Sequence, residues 1–231
     1  MRLQGELAMN GASASRAFIV AIDGPAASGK GTLARQLAKR FGLAHLETGA
    51  LYRATALLIL DASGDPANRA TAASAARRVS ADLLSDPRLR DEATARAASV
   101  VAADPEVRRA LLDFQRNFAT HPPFPAKGAV LDGRDIGSIV CPTANVKLFV
   151  TADPEVRARR RLAELRAAGC AVIYEDVLQE LNECDMRDAG RSAAPMVAPP
   201  DATVVDTTTL DIAAVVARAS AIVSRALASG Q

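Results

Sequence analysis

Apolar positions along the chain fall into short continuous runs separated by longer stretches of mixed character. The first run, AFIVAID at 17–23, stops at Gly24-Pro25, as expected of a strand buried on both faces of a parallel sheet. Comparable runs follow at Leu43–Glu47, Ala129–Asp132, Val146–Thr151 and Ala202–Thr207. Between them, Thr32–Phe41 and Pro154–Ala168 repeat apolar residues at helical spacing. Strands alternating with helices predict an α/β fold, a parallel five-stranded sheet flanked by helices. The interval from about 61 to 120 has no strand pattern and reads as a helical insertion, with breaks at Asp65-Pro66, Asp86-Pro87 and Asp104-Pro105. A second interval, from Cys170 through the proline-containing Ala194–Pro200, reads as irregular.

Composition narrows the class. A chain of 231 residues with 49% hydrophobic content can bury the core of one good-sized domain carrying small inserted subdomains. Its formal charge of +2 gives no overall reason to expect nucleic acid or an anionic membrane as partner. Cys141, Cys170 and Cys184 are far apart and form no CxxC pair, which argues against a zinc site or a disulfide framework and fits a reducing cytoplasm. No uninterrupted apolar stretch reaches the length of a membrane span, and Met1–Arg16 lacks the apolar core of a signal peptide. That segment reads as a disordered extension before a single domain over 17–231. Of 28 basic residues only Lys30, Lys39, Lys127 and Lys147 are lysines, so the place of each is informative.

One of the four sits in the strongest motif, Gly24-Pro25-Ala26-Ala27-Ser28-Gly29-Lys30-Gly31-Thr32, between a predicted strand and a predicted helix. That context is what a phosphate-binding loop (P-loop) requires. Its glycines let backbone N–H groups turn toward one centre, and the helix N-terminus adds its positive dipole end. Lys30 supplies a mobile charge for the β- and γ-phosphates of a nucleotide. Gly31 takes the slot usually filled by Ser or Thr, and Thr32 follows one later.

Beyond this loop, LETGALYR at Leu46–Arg53, LDGRDIGSIVCP at Leu131–Pro142 and RDAGRSAAP at Arg187–Pro195 occur in the order found in bacterial cytidylate kinases. The chain resembles that family of P-loop nucleoside monophosphate kinases from about Phe18 to Thr208. The resemblance implies transfer of the γ-phosphoryl group of ATP to CMP or dCMP with Mg2+, by a monomer that needs no nucleic acid or membrane. It also implies a core at 17–60, 121–156 and 196–231, an acceptor-binding insertion at about 61–120, and a short arginine-rich lid at about 157–195. The family usually carries strands within the insertion, where this chain reads as shortened and helical.

Carried over by motif, Arg53 and Arg134 would hold the acceptor phosphate, with Thr48 beside them. Planar, bidentate donors suit that task, and strand carboxyl ends are where open α/β sheets bind ligands. Asp135 would read cytosine with Ser99 and Arg108, Asp188 would meet a ribose hydroxyl, and Arg191 a phosphate. Asp132 ends its strand as a Walker-B aspartate does, so Thr32 and Asp132 are the expected magnesium ligands. Among Arg157, Arg159, Arg160 and Arg161, helical spacing puts Arg157 and Arg161 on one face, and these two are expected at the transferred phosphoryl group. Cys184 stands where the family usually has an arginine, so either Arg187 substitutes or nucleotide binding is weaker. Three alternatives remain open: UMP or AMP as acceptor, a shikimate-type kinase, and a P-loop regulatory protein that does not turn over an acceptor.

Overall fold

The protein, as a computed structural model, is described over residues 17–191 and 194–229. The expected N-terminal extension lies outside the described residues. Five strands, β1 (Phe18–Asp23), β2 (Ala44–Glu47), β3 (Gly128–Gly133), β4 (Val146–Thr151) and β5 (Thr203–Asp206), form one parallel sheet in the order β2-β3-β1-β4-β5. The expected sheet is therefore the observed one. Successive β1 residues serve opposite faces: Ile19 and Ala21 join one apolar cluster, Val20 and Ile22 the other. Double-sided burial explains why β1 reads as a continuous apolar run.

Helices α1 (Lys30–Phe41) and α8 (Ile212–Ser229) cover one face. α8 is long and apolar enough to cross a membrane by length and composition alone, with a mean hydropathy of 1.5. It carries Arg218 and Arg225, and packs Val215, Ala219 and Val223 into the core. Helices α2 (Thr48–Asp61), α3 (Arg69–Ala76), α4 (Glu92–Val101) and α5 (Pro105–Thr120) contribute to the opposite cluster. Two of the Asp-Pro breaks work as helix starts. Asp86 accepts from Arg88 N and Asp104 from Glu106 N, each followed by proline in the first turn.

After β4 the chain makes two packed helices, α6 (Pro154–Ala167) and α7 (Tyr174–Ala189), joined through Ala158, Val177 and Leu181. α7 corrects the expectation of an irregular segment there. Val177 and Leu181 are its only buried apolar residues, one turn apart, so most of its length is polar. Such a thin stripe gives little periodic signal.

The carboxyl ends of the strands set the site. Strands β3 and β4 flank β1 on opposite sides, and β1 runs into the P-loop at this switch of direction. Asp23 lies level with Gly133, and Glu47 with Asp132. Gly24 has φ 147°, and a Cβ there would lie 2.0 Å from Val150 O. Gly24→Ala is therefore expected to cost about 3 kcal/mol or more, by strain and by displacing β4. The denaturant midpoint of the variant measures it; an unchanged midpoint would mean the loop moves at no cost.

Candidate active site

The P-loop, the β3 end, α2, α4 and the α6–α7 pair enclose one cavity of about 690 Å³. On the P-loop side, Lys30 opens α1 and donates to Pro25 O at 3.2 Å. Burial, with Arg134 nearby, lowers its pKa to about 7. Gly29 has φ 90° and open space where a Cβ would sit.

Asp132 ends its strand between the P-loop and β2. Its Oδ1 is 3.7 Å from the point a Cβ on Gly31 would occupy, while Oδ2 lies 2.7 Å from Nε2 of His45. Thr48 donates from its hydroxyl to Asp132 O at 2.8 Å, so that hydroxyl is committed to the main chain. Thr32 lies in the first turn of α1 and accepts from Arg35 at 3.2 Å. Among the described residues no group of three or more His, Cys, Asp or Glu could hold a metal. A hydroxyl and a carboxylate near a phosphate pocket are nonetheless the donor set that fits Mg2+, which keeps waters and shares phosphate oxygens.

The opposite wall carries Asp135, 6% exposed and ion-paired with Arg108. The Arg108 guanidinium also lies 5.5 Å from the Tyr52 ring centroid. Asp23, which sequence reasoning passed over, aims this wall. It is 2% exposed and accepts from Ile136 N at 2.6 Å and Gly137 N at 2.7 Å, directly after Asp135. Burial raises its pKa to about 6, against those two hydrogen bonds.

Asp188 sits between two arginines, accepting from Arg134 Nε at 2.7 Å and pairing with Arg191. Arg53 pairs with Glu47; burial pushes that carboxyl up, and the Arg53 charge more than offsets it, holding it below the usual range. Arg53 Nε and Arg191 Nε are buried donors without a hydrogen-bond partner among the described residues. Buried N–H groups of this kind call for an acceptor, and these two stand in the cavity wall.

Cys184 lines the cavity with Sγ 3.9 Å from Asp188 Oδ2, and burial, then Asp188, push its thiol pKa up. Arg187 also lines the cavity, and its Nε donates to Ser99 Oγ at 3.2 Å, joining α7 to α4. Of the two arginines expected at the transferred group, only Arg161 faces the cavity. The expectation for Arg157 is corrected: it is 3% exposed, donates to Ala152 O at 2.9 Å and Ala26 O at 3.4 Å, and pairs with Asp185 at 2.7 Å. A shared helical face placed it with Arg161, but the tight packing of α6 against the P-loop claims the first turn.

The structure thus brings Lys30, Thr48, Arg53, Ser99, Arg108, Asp132, Arg134, Asp135, Arg161, Asp188 and Arg191 to one cavity. His45 and Asp23 were missed because nothing in a strand's own pattern names a partner more than eighty residues away.

The sequence profile described as cytidylate kinase matches residues 20–225. The chain is 56% identical over 190 residues to the cytidylate kinase of Rhodospirillum rubrum, covering 82% of this chain and 89% of that one. It is 54% identical over 209 residues to the cytidylate kinase of Methylocella silvestris, covering 90% and 95%. A crystal structure of an uncharacterized protein from Eubacterium ventriosum covers 90% of this chain and 98% of its own with a TM-score of 0.51 and 13% identity, a likeness of fold alone. On the profile match and the extent of identity with such relatives, the chain belongs to the cytidylate kinase family.

Proposed function

We propose that this chain carries out phosphoryl transfer from ATP to CMP or dCMP, giving ADP and CDP or dCDP, with the cavity residues in the following roles. The P-loop and Lys30 hold the donor phosphates, and Arg161 meets the group in transfer. Arg134, Arg191 and Arg53 hold the acceptor phosphate, with the free Nε donors of Arg53 and Arg191 as the supporting observation. Asp188 turns to a ribose hydroxyl once a phosphate takes its place on the arginines. Asp135, with Arg108 and Ser99, reads the base. Thr32 and Asp132 would hold Mg2+, which there neutralises negative charge on the donor phosphates. No general base is required, because the acceptor oxygen is already anionic; alignment and charge neutralisation suffice.

One observation carries this reading: Lys30 and the Arg108–Asp135 pair open onto the same cavity, so a triphosphate and a nucleoside monophosphate can meet end to end. On this reading the chain acts as a monomer, and the cytoplasm supplies both nucleotides. The test is an acceptor panel with purified protein and ATP. ADP formation is expected to depend on added CMP or dCMP, with UMP, AMP and shikimate poor. ADP formation that ignores every monophosphate would support the regulatory reading instead.

A further inference from the structure

A group of residues behind the P-loop never reaches the cavity. Thr207, just past β5 and 3% exposed, has its single hydroxyl hydrogen shared between Ser28 O at 3.0 Å and Thr151 O at 3.1 Å. From α6, Arg160 donates to the same hydroxyl oxygen at 2.9 Å and to Thr207 O at 2.7 Å. A guanidinium only donates, so it fixes the hydroxyl as the donor toward those carbonyls. One residue pair earlier in the loop, Arg157 takes Ala26 O.

These carbonyls matter because a peptide unit is planar and trans. The C=O of one residue and the N–H of the next point in opposite directions. A carbonyl of Ser28 drawn back toward Thr207 aims Gly29 N–H away from Thr207, and one of Ala26 drawn toward Arg157 aims Ala27 N–H away from α6. Binding an anion requires such N–H groups to be oriented before it arrives; otherwise ordering the loop costs affinity.

We infer that Thr207, polarised by Arg160 and seconded by Arg157, is a positioning residue that fixes the P-loop peptides for the donor phosphates. The inference rests on the reading of this loop as the donor site, but not on the identity of the acceptor. It gives the arginine-rich start of α6 a second task besides contact with substrate, and it makes the end of β5 part of donor binding.

The test is direct binding, by calorimetry, of ATP, inorganic tripolyphosphate and CMP to wild type and Thr207→Val, a near-isosteric change that removes only the hydroxyl. ATP and tripolyphosphate are expected to weaken about tenfold, the scale of one lost hydrogen bond to a charged site, with CMP unchanged. Thr207→Ser, which restores the hydroxyl, should return both to near the wild-type value. Arg160→Met leaves Thr207 in place and should give a smaller loss in the same direction, which keeps the test open if Thr207→Val does not fold. In steady state the loss should appear in KM for ATP and not in KM for CMP. Unchanged tripolyphosphate binding in Thr207→Val and Arg160→Met would overturn the inference. So would equal weakening of ATP and CMP with a lower unfolding midpoint, the mark of a merely structural hydroxyl. A wild type that binds neither ATP nor tripolyphosphate would overturn the donor-site reading as well, whereas failure to phosphorylate CMP would leave these binding results standing.

Discussion

Lys30→Ala is expected to lower kcat about 100-fold or more while leaving the unfolding midpoint near that of wild type. Among the described residues its ammonium makes a single hydrogen bond, to Pro25 O, so the fold loses little when it is removed. The transition state loses a charge placed where negative charge shifts between phosphates. Burial, with Arg134, lowers the Lys30 pKa to about 7. Bound phosphates favour the charged form and raise that pKa, so at pH 8 ATP binding should draw a proton from buffer. At pH 6 the lysine is already charged and uptake should vanish. Apparent ATP affinity should accordingly fall as pH rises above about 7, and calorimetry in buffers of different ionisation heat measures the proton. Turnover of Lys30→Ala within threefold of wild type, or ATP binding at pH 8 without proton uptake, would remove Lys30 from the assigned role.

Asp135→Ala should damage CMP turnover far more than UMP turnover. Cytosine presents an exocyclic amine, for which a carboxylate is the acceptor, whereas uracil presents a carbonyl oxygen at the same position. Facing uracil, the buried Asp135 would oppose another acceptor, a mismatch of about 1–3 kcal/mol and thus tens- to hundreds-fold in kcat/KM. The variant also deprives Arg108 of its ion-pair partner, leaving a guanidinium that still suits a carbonyl. Comparing kcat/KM for both acceptors in wild type and variant checks the idea. A CMP-to-UMP ratio that survives the substitution would exclude Asp135 as the base reader.

The sheet was legible because its strands are short runs with apolar residues at their centres, and four of the five end in glycine or an acidic residue. Helix α7 was not, since its stripe is two residues wide. At the site, motif spacing pointed to Lys30, and the resemblance to the family's blocks pointed to Arg134 and Asp135, whose chemistry is local to a loop. They could not show that Arg157 is spent on Ala26 O and Asp185, because a helical wheel says which residues share a face but not what that face meets. His45, Asp23 and Thr207 were silent for a related reason. Each acts through hydrogen bonds to elements distant in sequence, and such pairings leave no periodic trace in the chain.

The place of Asp188 between Arg134 and Arg191 bears on life among competing ions. Two converging guanidinium groups without a carboxylate would be a trap for any small anion, and a cell is full of inorganic phosphate. With Asp188 seated there, the arginines are already supplied with their own counter-ion, and a visitor must displace it. Orthophosphate can offer only its charge in that exchange. With the roles proposed above, a nucleotide would add a sugar hydroxyl for the evicted carboxylate and a base for Asp135, so the same pair of arginines that would bind indiscriminately would become an entrance that only a complete ligand opens.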